Sequence, residues 1–164
     1  MELLEIEGLF LMDSGAPSPT IVSNDNELLI TFYVDKESLF VEPQQRDTFY
    51  DTGVVTLRFK LALKYTFGLP NDETMHGHPY SRLGMRPYSF YELKDSDLIA
   101  SMQKINSVHP YHNPETWKEC RHYIITFHDN MFECVASGFE IREENVSLHD
   151  QAATMLNELF RKRF

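Results

Sequence analysis

The stretch RHYIITFHDNMFECVA, residues 121–136, limits what this chain can fold into more than any other. Two β-prone runs rich in Tyr, Ile, Phe and Val flank a short polar break, and such a pair closes into a hairpin. A two-residue turn at Asp129-Asn130 would be of the primed type, because Asp and Asn tolerate positive φ. That turn sets His128 against Met131, Phe127 against Phe132, Thr126 against Glu133 and Ile125 against Cys134. Tyr123, Ile125, Phe127, Phe132, Cys134 and Ala136 then share one apolar face, the expected core. His122, Ile124, Thr126, His128, Met131, Glu133 and Val135 share the other face, which is mixed.

Further strands are expected at Leu4–Met12, Glu27–Val34, Gly53–Leu63 and Pro87–Leu93, separated by turn-rich segments such as DSGAPSP. In the third, Val55, Leu57 and Phe59 fall on one face. The polar stretch from Asp35 to Thr52 fits no element. Asp95 or Ser96 caps a helix in which Leu98, Met102 and Ile105 recur at helical spacing, ending before His109-Pro110. Asn113-Pro114 opens a short helical turn. A last helix from Ser147 to about Arg163 carries the stripe Leu148, Ala152, Met155, Leu156, Leu159 and Phe160. Strands joined mostly by short turns predict an α+β fold: a mainly antiparallel β-sheet with two or three helices packed on one side. A chain of 164 residues is expected to form one domain, residues 1–164, strand-rich over 1–140 with the amphipathic helix at about 147–163.

Charge narrows the partners. The net charge of −10, from 25 acids against 15 bases, speaks against nucleic acid, whose phosphates need clustered Lys and Arg. The basic run Arg161-Lys162-Arg163 suits the negative end of the last helix. No apolar run approaches the roughly 20 residues that cross a bilayer, so no membrane partner is expected. The acidic MELLEIEGLF start lacks the basic region of a signal peptide, and a cytoplasmic location is the expectation. Cys120 and Cys134 are expected roughly 16 Å apart on the hairpin, too far to bridge. Both read as reduced, with Cys134 in the core.

Six of the seven histidines lie between residues 76 and 128, which locates a candidate site. Glu133, diagonal to His128 in the expected register, would orient that imidazole, so His128, Glu133 and Asp129 are the candidate catalytic residues. Ordinary cross-strand pairing explains the same residues. The loop from Gly68 to Arg86 runs about 19 residues without periodicity, a length usual for functional or disordered segments. It holds Asp72, Arg82 and Arg86, candidates for binding a ligand. His76 and His78, with His109 and His112 of the HPYHNP link, are candidate ligands for a divalent metal ion. A surface loop whose histidines cap backbone groups accounts for the same spacing. No G-x-S-x-G, P-loop, H-E-x-x-H, G-x-G-x-x-G or EF-hand motif is present.

The segments PNDETMHGHPYSRLGMRPYSFYEL, INSVHPYHNP and RHYIITFHDNMFECVA, with DSGAPSP and ELLITFYV before them, resemble a group of uncharacterised bacterial proteins. The resemblance covers most of residues 10 to 138. It implies a bacterial origin and carries over no reaction, cofactor or site residue.

Three functions are then open, in this order. The first is a bacterial binding or accessory protein without catalysis, favoured by the acidic charge, the missing catalytic motifs and a high aromatic content. The second is a small metal-assisted hydrolase using the loop and hairpin histidines. The third is a small-ligand binding protein with a pocket between sheet and helix, closed by the 68–86 loop. The partner would be a protein or a small molecule, and edge strands make a homodimer plausible.

Overall fold

The computed structural model describes residues 1–25, 27–35 and 53–161, with the side chain of Arg161 left aside. The Asp35–Thr52 stretch beyond Asp35, and Lys162-Arg163 of the basic run, lie outside the described residues. In chain order the elements are β1 (Glu2–Glu5), β2 (Thr20–Ser23), β3 (Leu28–Val34), β4 (Gly53–Lys60), β5 (Lys64–Gly68), β6 (Ser89–Lys94), α1 (Asp97–Asn106), β7 (Arg121–Thr126), β8 (Met131–Ala136), β9 (Gly138–Glu144) and α2 (Leu148–Arg161). Short 3-10 turns occupy Met75–Gly77, Ser81–Leu83 and Pro114–Glu119. The class is α+β, as expected, with the strands divided between two antiparallel sheets. No helix among the described residues is long and apolar enough to cross a membrane.

The chain forms two compact units. The first comprises Met1–Ile6 and Ala62–Gly138, the second Glu7–Leu61 and Phe139–Phe164. The sheet of the first unit runs β1-β6-β7-β8-β5, with β7 at its centre. Its β7–β8 hairpin differs from expectation in one respect. Thr126 faces Met131, Ile125 faces Phe132, Ile124 faces Glu133, Tyr123 faces Cys134 and His122 faces Val135. The reversal falls on His128-Asp129, closed by a bond from Phe127 N–H to the Asn130 carbonyl at 2.9 Å. Neither Asp129 nor Asn130 takes the positive φ that a primed turn between them would require. A shift of the turn by one residue moves each partner by two, which keeps every side chain on its expected face. The apolar pattern therefore fixes the faces, and it does not distinguish registers two residues apart.

The face of Tyr123, Ile125, Phe127, Phe132, Cys134 and Ala136 is buried as expected. The opposite face is buried as well. His122, Ile124, Thr126, Met131 and Val135 are all inaccessible or nearly so. The segment from Leu69 to Arg86 covers it: Met75, Tyr80 and Met85 pack with Tyr91, Leu93, Ile124 and Met131 into one cluster, with Leu3 and Leu83 against it. The long irregular loop is thus a cover of the sheet, and its methionines and tyrosine are the material of a second core layer. Thr126, one of the polar groups of this face, is fully used: its hydroxyl donates to the Arg86 carbonyl at 2.7 Å and accepts from Ser89 N–H at 3.0 Å.

The sheet of the second unit runs β2-β3-β4-β9. In β4, Val55, Leu57 and Phe59 are buried, and so are Val54 and Thr56 on the alternate face. The helix α2 lays Met155 and Leu159 against Leu29 and Val22. Gln151 completes its inner face, donating to Thr56 Oγ1 at 2.9 Å, while Leu156 and Phe160 of the expected stripe are exposed. The first expected strand is shorter than its apolar run. β1 ends at Glu5, Gly8 follows with φ 76°, and Met12 makes only an isolated bridge to Val34. The run from Gly53 to Leu63 likewise breaks after Lys60, where Leu61 takes φ 48°. The segment that follows, β5, carries no break residue that a sequence reading would register, and was not expected. Nor were β2 and β9.

Candidate functional site

Glu133 on β8 stands opposite Ile124, and its diagonal neighbour on that face is His122. The two-residue shift thus replaces His128 by His122 as its partner. The distance from Glu133 Oε2 to His122 Nε2 is 2.9 Å, and from Oε1 to His78 Nε2 3.4 Å. One carboxylate holds two imidazoles, one on each oxygen. The His78 ring is oriented from behind by Tyr80 N–H, which donates to Nδ1 at 3.2 Å. The His122 ring is oriented by Ser96, whose Oγ lies 2.8 Å from Nδ1.

Ser96 is the N-cap of α1, and its oxygen accepts from Ile99 N–H at 3.3 Å. With Glu133 ionised, one assignment satisfies every group: His122 Nε2–H donates to the carboxylate, the Ser96 O–H donates to Nδ1, and the helix amide donates to Ser96. Tyr80 extends the network, donating from its hydroxyl to Asp97 Oδ1 at 2.5 Å in the first turn of α1. Its ring stands edge-on to both His78 and His122, with centroids 5.0 and 5.9 Å away. Four pieces of the first unit therefore meet at Glu133: the covering segment, the start of α1, β7 and β8.

The electrostatics follow from this packing. Burial by itself would raise the Glu133 carboxyl, yet the His122 bond and the nearby imidazoles outweigh it and hold the group below the ordinary carboxylate range. Burial, with the Asp97 bond second, pushes the Tyr80 phenol up. Burial also pushes up the thiols of Cys134 and, less deeply set, Cys120. Both cysteines are free, as expected, and neither sits where a thiolate is favoured. Cys134 faces Tyr123, where Ile125 was expected.

In order, Ser96, His122 and Glu133 form the chain of an activated hydroxyl, a nucleophile bonded to a base that a carboxylate orients. Access sets the limit on that chemistry. His122 is 0% exposed and Ser96 6%, so the hydroxyl is closed to a substrate in this arrangement. The network's direct physical effect is to fasten the covering segment and α1 to the sheet.

The other expected site residues are placed apart from it. His128 sits in the turn, part exposed, with Nδ1 2.9 Å from Asp129 Oδ1 and Nε2 4.0 Å from Asp72 Oδ2. The bond to Asp129, then the charge of Asp72, raise its pKa above the ordinary histidine value. Asp72 N–H donates to the His128 carbonyl at 2.9 Å, so this cluster staples the cover to the turn. His76 is exposed and its carbonyl accepts from Ser81 Oγ. His109 Nδ1 accepts from Tyr111 N–H, and His112 Nδ1 lies 2.9 Å from Asn106 Oδ1. Arg82 is exposed, and Arg86 pairs with Glu5 of β1. Among the described residues, no three His, Cys, Asp or Glu side chains are grouped to hold a metal ion.

Two further features went unread in the sequence. A cleft of about 180 Å³ in the second unit is lined by Thr56, Arg58, Glu140, Ile141 and Arg142, smaller than the roughly 300 Å³ at which small-molecule pockets begin. Arg58 and Arg142 are paired there with Glu27 and Glu158. The second feature is β5, an edge strand of its sheet among the described residues. Tyr65 and Phe67 on it are 41% and 44% exposed, and Leu63 and Leu69, which flank the strand, are 53% and 83% exposed. Period-two alternation from Leu63 to Leu69 was the available signal, hidden because it runs on from β4 without a Gly, Pro or Asn between them.

Comparison with protein-family models, with curated proteins and with solved structures finds no match for this chain.

Proposed function

We propose that this chain is a non-catalytic binding protein that recognises a protein partner through the edge strand β5. One observation carries the reading: Tyr65 and Phe67 on β5, with Leu63 and Leu69 just beyond its ends, are large apolar side chains exposed on what is, among the described residues, an edge strand of its sheet. Natural proteins blunt such edges with charge or proline, and beside Lys64 and Pro70 this segment still keeps four large apolar side chains exposed. The polar network around Glu133 supports the reading from the other side, because it makes the sheet rigid and keeps its histidines from solvent. A bacterial setting comes with the resemblance, and two free cysteines fit a reducing compartment such as the cytoplasm.

The test is site-specific cross-linking in cells that make the full chain. A photoreactive benzoylphenylalanine replacing Phe67 should give a discrete adduct, and the same probe replacing Glu119, exposed on a 3-10 turn, should not. Equal adducts from both positions, or none from Phe67, would overturn the reading.

A second reading, a small hydrolase, has the Ser96–His122–Glu133 order in its favour. It requires ester turnover that Ser96→Ala abolishes while folding is retained. Its metal-assisted form further requires stoichiometric metal in protein purified without a histidine tag, lost in His78→Ala.

A further inference from the structure

Charges of both signs line the cleft of the second unit: Arg58 on β4, and Glu140 and Arg142 on β9, the strand beside it. We infer that this cleft binds a small zwitterionic α-amino acid, with the ligand carboxylate on Arg58 and Arg142 and its ammonium on Glu140. The site lies wholly in the second unit and does not depend on the reading of β5.

Both guanidiniums are set before a ligand arrives. Arg58 forks Glu27 through Nε and Nη2, and Arg142 forks Glu158 of α2 through Nη1 and Nη2. Of the five N–H donors on a guanidinium each fork uses two, and it fixes the plane in which the rest lie. Donors already oriented bind an oxyanion with little further loss of side-chain freedom. The floor is fixed as well. The hydroxyl of buried Thr56 donates to Thr31 Oγ1 at 3.2 Å and accepts from Gln151 Nε2 of α2 at 2.9 Å. Glu140 is held differently. It pairs with Lys60 at 2.8 Å, both side chains are more than half exposed, and a surface pair of this kind is worth little. Its carboxylate exchanges that ammonium for another at small cost.

Size and charge choose the ligand. The cleft of about 180 Å³ has room for about six waters at roughly 30 Å³ each, and so for a molecule of about that many non-hydrogen atoms. Alanine and serine meet this limit, while nucleotides and drug-sized ligands do not. A bare anion would meet Glu140, Glu27 and Glu158 in a chain of net charge −10. A bare amine would meet two guanidiniums, close enough that the charge of Arg58 already acts on Arg142. A zwitterion brings both charges and no net charge, and it leaves neither sign of the lining unanswered.

Titration of L-alanine into the full chain, followed by backbone amide shifts in NMR, should move Thr56, Arg58, Glu140 and Arg142 along one saturable curve. A ligand this small binds no more tightly than about 1 µM. Ethylamine lacks the carboxylate, propionate lacks the ammonium, and inorganic phosphate is an anion alone. Each should bind at least about tenfold more weakly than alanine. Glu140→Gln, at an exposed position, should keep the melting temperature of the unliganded chain and lose about tenfold in alanine affinity. Arg142→Lys keeps the charge but loses the planar fork, and should weaken alanine to a similar degree. No saturable shift with alanine, glycine or serine up to about 50 mM overturns the inference. Propionate or phosphate binding as tightly as alanine overturns the zwitterion, and unchanged alanine affinity in Glu140→Gln does the same. Saturable shifts confined to other parts of the chain overturn the placement.

Discussion

The two sides of one sheet in the first unit are built on opposite principles. On its covered face, Glu133, His122, His78, Ser96 and Tyr80 satisfy one another's donors and acceptors beneath an irregular segment that supplies Met75 and Met85 as core. At its β5 edge, Tyr65 and Phe67 of the strand and the flanking Leu63 and Leu69 are exposed. The polar residues are buried and the apolar ones are open. A buried polar group is tolerated where every partner is present, and it then fixes one arrangement; an exposed apolar row lowers solubility and is kept where something covers it. The contrast separates stability from recognition, and each can be altered without the other.

The largest expected effect is on the covered face. Glu133→Ala should lower the unfolding free energy by about 3 kcal/mol in urea, because it leaves the buried His122 and the part-buried His78 without their acceptor. His122→Ala should cost a similar amount. The double variant should fall short of the sum by about 1–2 kcal/mol, since both remove one interaction. Additive losses would mean that the two side chains act separately.

Acid sharpens the same point. The Glu133 carboxyl lies below its ordinary 4.5 in the folded chain. Its contribution is therefore fully present above that value and is lost as pH falls through the lower folded value. Melting temperature measured from about pH 6 down to about pH 3 should drop more steeply in the wild type than in Glu133→Gln, which has no such group to protonate. Parallel curves would remove Glu133 from the acid response.

At the open edge the expectation reverses. Tyr65→Lys with Phe67→Glu should change unfolding free energy by no more than about 0.5 kcal/mol, as exposed substitutions do, while the Phe67 cross-link is lost when measured beside it in a Tyr65→Lys background. A large destabilisation would show that the row is part of the core. The smallest effect belongs to the turn. His128 is raised by Asp129 and Asp72, so any contribution is present at low pH and fades as pH rises through its folded value. His128→Asn should leave the melting temperature unchanged at neutral pH within error, because the group is open to solvent and its pairs are screened.

Much of this arrangement is written in local residue order. The faces of β7 and β8, an N-cap at Asp95 or Ser96 (Ser96 in the structure), the strands at β3, β4 and β6, and the helix α2 were all legible, because each depends on a period or a cap confined to a few neighbours. Glu133 was legible as a site residue, while its partner was not. Whether the chain turns at His128-Asp129 or at Asp129-Asn130 leaves every side chain on the same face and changes only which histidine the carboxylate meets. In the same way Ile105 completes the apolar spacing of α1 but is exposed, since that helix contributes its cap and Asp97 to the network more than a buried stripe.

Sequence by itself determined the α+β class, the alternation of the hairpin and the clustering of histidines near it, since these arise from local spacing and charge. Tertiary structure decided the register, the burial of both faces of the first sheet and the isolation of β5 as an edge. Those outcomes depend on what residues 69–86 cover and where strands distant in sequence run out of neighbours, and no local pattern records either.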